Sequence, residues 1–124
     1  MTRVAALVVV GLLVPAAALA ADWRIIAQGK ASGKFTVAAA SGTAMRPTAI
    51  QMKVTASPRI RTVAGYSIQC SKGARKKKGS GKATGRTPIT KALVLPIAHP
   101  DSCLVVASAT LASTTKMTVT ILAR

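Results

Sequence analysis

An all-β domain, a two-layer sandwich of about seven short strands, is the fold class this sequence predicts. Three observations predict it. Apolar residues alternate with polar ones in one segment after another, Val and Thr crowd those segments, and the part after residue 20 shows no helical stripe. A period of two marks a strand with one buried face. Val and Thr are stiff at χ1 and suit a pleated surface.

Taken in order, Trp23, Ile25 and Ala27 share the first face, and Phe35, Val37 and Ala39 the second. Ile50, Met52, Val54 and Ala56 form the third, with Gln51, Lys53 and Thr55 opposite. The longest alternation runs through Ile60, Thr62, Ala64, Tyr66, Ile68 and Cys70; its other face carries Arg59, Arg61, Ser67 and Gln69, relieved only by Val63. Leu93 and Leu95 mark a further strand. Cys103, Val105, Ala107, Ala109 and Leu111 form the next, and Met117, Val119 and Ile121 the last. Short strands between Gly, Ser and Pro turns predict a small immunoglobulin-like sandwich, with a partly closed barrel as the rival.

The segment 71–86 breaks the pattern. It holds four glycines and seven basic residues, Lys72, Arg75, Lys76, Lys77, Lys78, Lys82 and Arg86. Such a composition reads as a mobile hairpin or long loop, with at most a short edge strand at 82–84.

The first twenty residues have the layout of a secretory signal peptide: Arg3, an apolar run from Val4 to Val14, then Ala18-Leu19-Ala20. Cleavage after Ala20 leaves a single domain, 21–124. An uncleaved anchor is the competing reading, but Pro15 ends the apolar run well short of the roughly 20 residues that span a bilayer. The mature chain then carries no transmembrane anchor, and the expected address is secreted or extracellular, with retention at the cell surface as a variant. Exported chains with two cysteines tend to join them. Cys70 ends one expected core strand and Cys103 opens another, so antiparallel neighbours would bring them together. Closing that loop stabilises the fold by about 3 to 4 kcal/mol in the chain-entropy model.

The charge is lopsided. The chain has 18 Lys and Arg against two acidic residues, Asp22 and Asp101, for a net charge of +16. Internal pairing with carboxylate side chains can occupy at most two basic groups. The rest face solvent or an external anion, which implies attraction to polyanions and a marked salt dependence.

The block 63–73 (Val-Ala-Gly-Tyr-Ser-Ile-Gln-Cys-Ser-Lys-Gly) and the block 101–109 (Asp-Ser-Cys-Leu-Val-Val-Ala-Ser-Ala) stand between Trp23 and 119–122 (Val-Thr-Ile-Leu). In these blocks the chain resembles small secreted β-sandwich proteins of high-GC Gram-positive bacteria. The resemblance implies a sandwich built around two cysteines and lends no catalytic residue.

Catalysis has little to work with. One histidine, His99, stands near Asp101 and Ser102, but neighbours in a turn do not supply a triad's convergent geometry. No metal site is expected, since zinc wants three or four good ligands and calcium an acidic loop. No nucleotide loop is present: Gly81-Lys82 is followed by Ala83. No cofactor is therefore expected. Basic residues without interleaved aromatics can contact anions but do not support base stacking, so dedicated nucleic-acid binding is not expected. The expected function is a noncatalytic module holding an anionic wall polymer, acidic glycan or lipid headgroups through the seven basic residues. The alternative is a structural or protein-interaction component of the envelope with no polyanion ligand.

Overall fold

The computed structural model describes residues 23–33, 37–110 and 115–124. The expected leader and its cleavage point, Asp22, Phe35 and Leu111 lie outside the described residues. Among the described residues eight strands follow one another: β1 (Arg24–Gly33), β2 (Val37–Met45), β3 (Ile50–Ser57), β4 (Arg61–Lys72), β5 (Arg75–Arg86), β6 (Ile89–Leu93), β7 (Ser102–Thr110) and β8 (Thr115–Ala123). They form two four-stranded sheets in the orders β1-β8-β3-β6 and β2-β7-β4-β5.

The sandwich that the alternation predicts is present, and its sheets do not close into a barrel. The pairings are nested: β1 with β8, β2 with β7, β3 with β6, and β4 with β5, all antiparallel. A ribbon of antiparallel pairs folded over itself in this way is the eight-strand jelly roll. That order differs from the ABED/CFG order of an immunoglobulin domain. Alternation shows that a strand has a wet and a dry face but says nothing of which strand lies beside it.

The core lies between the sheets. Ile50, Met52 and Val54 of β3 and Met117, Val119 and Ile121 of β8 come from one sheet. Ala64, Tyr66, Ile68 and Cys70 of β4 meet them from the other, with Cys103, Val105, Ala107 and Ala109 of β7. These are the parities that the sequence predicts. Cys70 and Cys103 sit directly opposite each other on neighbouring strands and are joined, both fully buried. The bridge therefore staples β4 to β7 within one sheet instead of linking the two layers.

Two strands depart from expectation. In β1 the register shifts between Ile25 and Ala27, so Ile25 turns outward, 61% exposed, while Ala27 packs on the core. In β2 the buried residues are Ala38, Ala40 and Ala44, whereas Val37 is 56% exposed and Ala39 is also outward. Alanines on both parities leave only a weak hydrophobic signal. The near approach of β1 to β2 decides the side: a Cβ on Gly29 would fall on the Ala39 carbonyl, and one on Gly42 would lie 2.9 Å from the Ile26 carbonyl oxygen. Small residues here let the two sheets come together at this edge.

Of the two readings of 71–86, the hairpin is present and the long loop is not: β5 pairs with β4 along its whole length, from Arg61 opposite Arg86 to Lys72 opposite Arg75, well beyond the short edge strand expected at 82–84. Only Gly73 and Ala74 make the turn, with Gly73 at φ 58°.

Candidate binding face

Side chains directly opposite one another in an antiparallel pair share a face. Since Thr62, Ala64, Tyr66, Ile68 and Cys70 point inward, Arg61, Val63, Gly65, Ser67, Gln69 and Ser71 line the outer face of β4. Their partners on β5 are Arg86, Thr84, Lys82, Ser80, Lys78 and Lys76. The outer face of this edge strand is thus a row of cations spaced by small polar residues. At about 3.3 Å per residue, Lys76 to Arg86 spans roughly 33 Å.

Four of the seven basic residues singled out from sequence, Lys76, Lys78, Lys82 and Arg86, are brought onto this face together. Arg61 joins them beside Arg86, a neighbour that the segment 71–86 alone does not reveal. Lys77 has the opposite parity, opposite Cys70. Lys72 and Arg75 face each other at the turn end, beyond the core, where both are exposed. A second signal was available in the sequence. After the unbroken basic run Arg75 to Lys78, the odd positions 79, 81, 83 and 85 of β5 are Gly or Ala and the even positions 78, 80, 82, 84 and 86 are Lys, Ser, Lys, Thr and Arg. That is a period of two written in size and charge instead of hydrophobicity.

The rest of the sheet continues the same surface. Lys78, Gln69 and Leu104 stand side by side across β5, β4 and β7, and Ser80, Ser67 and Val106 form the neighbouring rung. Leu104 and Val106 are 49% and 42% exposed. Between them and the lysine row lies a groove of about 460 Å³, lined by Ser67, Ile68, Gln69, Lys78, Gly79, Ser80, Leu104 and Val106. Ser67, Gly79 and Ser80 are the small residues of its lining.

Among the described residues no aromatic ring lies on this face. Tyr66 points into the core, and Trp23 sits beside β1 with the Arg124 guanidinium 4.7 Å from its ring centroid. Asp101, the only carboxylate side chain among the described residues, accepts a 2.8 Å hydrogen bond from the Gly73 amide. It thereby closes the β4–β5 turn and pins the strand that carries the cations.

The groups weighed for catalysis do not converge. Asp101 serves the turn, the Ser102 hydroxyl lies 3.1 Å from that of Ser71, and His99 is exposed in the β6–β7 connection with φ 51°. Among the described residues no three His, Cys, Asp or Glu gather where they could hold a metal ion. Nor is any helix there long and apolar enough to cross a membrane.

No protein-family model matches the chain, and no curated protein matches it. Among solved structures, a carbohydrate-binding module, CBM61, in complex with β-1,4-galactotriose is similar at 7% identity and a TM-score of 0.37, over 82% of this chain and 88% of that one. The enzymatically active domain of bacteriophage CBA120 tailspike protein 4 is similar at 12% identity and a TM-score of 0.41. That match covers 84% of this chain and 20% of the tailspike chain, so this chain spans about a fifth of its length. At such identity and superposition neither likeness bears on what this chain binds.

Proposed function

We propose that the chain is an exported, noncatalytic module that holds an anionic cell-envelope polymer on the outer face of the β2-β7-β4-β5 sheet. The observation that carries this reading is the pairing of β4 with β5. It sets Lys76, Lys78, Lys82, Arg86 and Arg61 on one face of a rigid sheet, and Asp101 is engaged at the turn instead. Cations held on a sheet need less ordering on binding than the same cations on a mobile loop, so less affinity is lost to entropy. The Cys70–Cys103 bridge supports an oxidising compartment.

The alternative, a structural or protein-interaction component of the envelope, would not dock by strand addition at the β5 edge. β5 is charged and glycine-rich, the composition that discourages strand addition.

Retention on immobilised heparin through a salt gradient tests the reading. Changing Lys76, Lys78, Lys82 and Arg86 to Ser should move elution to much lower salt. Changing Lys30, Lys53 and Lys116, which share the outer face of the opposite sheet, should move it less. Equal shifts per charge removed from the two faces would show net charge, not this face, to be responsible.

A further inference from the structure

We infer that the groove beside the lysine row is a subsite for one acidic sugar ring, a hexuronate, so that the polymer held is an acidic polysaccharide. The inference rests on the polyanion reading above and narrows it. A row of lysines alone does not distinguish a polyphosphate from an acidic glycan, because ammonium groups contact either as point charges. The groove does distinguish them. It has an apolar wall, Leu104 and Val106; a floor of hydroxyl and amide groups, Ser67, Gln69 and Ser80; and a cationic rim at Lys78.

A uronate ring presents the matching three surfaces: an apolar C–H face, ring hydroxyls that both donate and accept, and a carboxylate at one side. A phosphodiester chain offers the charge but has no use for the exposed leucine and valine. The capacity fits as well. At about 460 Å³ the groove has ample room for one sugar ring. Its floor also lacks the volume of side chain that would make the face flat. An anionic lipid surface shares the mixture of apolar and cationic groups. A bilayer surface, however, meets a protein along its protruding parts, whereas here the apolar side chains flank a depression.

The two halves of the surface can be tested separately. Ser67→Leu and Ser80→Leu each fill the groove without changing a charge, and both positions are exposed on the sheet face. Titrations of the intact disulfide-bonded protein with oligogalacturonate, with polyphosphate and with phosphatidylglycerol vesicles give the readout. Thermal melting of each variant confirms that the fold is kept, and Leu104→Ser removes the apolar wall by a substitution that cannot overpack. Oligogalacturonate affinity should fall by about tenfold or more in all three variants, as expected of a clash or a lost anchor at the ligand, with polyphosphate affinity unchanged.

Oligogalacturonate binding that survives all three substitutions overturns the groove inference and leaves the lysine row standing. An equal loss for both polymers also overturns it, because the groove would then be a general anion contact. Groove-dependent vesicle binding without oligogalacturonate binding overturns it in favour of a lipid surface. Polyphosphate binding that is undiminished when Lys76, Lys78, Lys82 and Arg86 are changed to Ser would instead defeat the polyanion reading on which the inference rests.

Discussion

At the residue scale, the pair Tyr66 and Gly81 shows how the cationic strand is held flat against the core. They stand opposite each other across β4 and β5, and a Cβ on Gly81 would lie 2.7 Å from the Tyr66 ring. The glycine is there so that the ring can lie across β5, covering backbone that no side chain of its own protects, as aromatic residues do for glycines in edge strands. Gly81→Ala forces the ring, 9% exposed, to move into packed surroundings. Overpacking of this kind costs about 1 to 3 kcal/mol. A denaturant titration should show that loss, whereas Gly85→Ala, whose Cβ would meet nothing within 4 Å, should change stability little. Equal effects at the two positions would remove Tyr66 from the account.

At the element scale, β5 carries a conflict between stability and charge. Arg61 faces Arg86 and Lys72 faces Arg75 directly across the hairpin, and like charges so placed destabilise a sheet by about 0.2 to 1 kcal/mol per pair. Arg86→Thr should therefore raise the melting temperature at low salt, and the gain should shrink at high salt as screening removes the repulsion. A loss of stability at every salt concentration would mean that the arginine packs instead of repelling. The same strand is the hardest to read in the sequence. The core parities of β3, β4, β7 and β8 were legible because Ile, Met and Val alternate there with polar residues. β5 is legible only in its alternation of size and charge, since Gly and Lys are poor strand formers in isolation and no hydrophobic period marks the segment. β2 turns the opposite way from its expected parity for a related reason: alanine on both parities gives the chain no side to prefer until β1 crowds against it.

At the scale of the whole molecule, the jelly roll separates two jobs. The sheet β1-β8-β3-β6 supplies the larger core side chains and carries three lysines, Lys30, Lys53 and Lys116, spread over its outer face. The other sheet uses the disulfide and many alanines to stay thin and fixed, and its edge carries more charge: of the eight Lys and Arg in the β4–β5 hairpin, five, Arg61, Lys76, Lys78, Lys82 and Arg86, share its outer face. A cationic field of this kind focused on one side attracts anions over distances set by the Debye length, about 8 Å at physiological salt. On the proposed function the ligand meets the β2-β7-β4-β5 sheet, and backbone amide shifts in a heteronuclear NMR titration with an acidic oligosaccharide report this residue by residue. The perturbed amides should cluster on β4, β5 and β7 around Ser67, Lys78, Ser80 and Leu104, and β3 and β8 should remain still. Shifts centred on Lys53 and Thr118 of the opposite sheet, or no shifts at low salt, would contradict it.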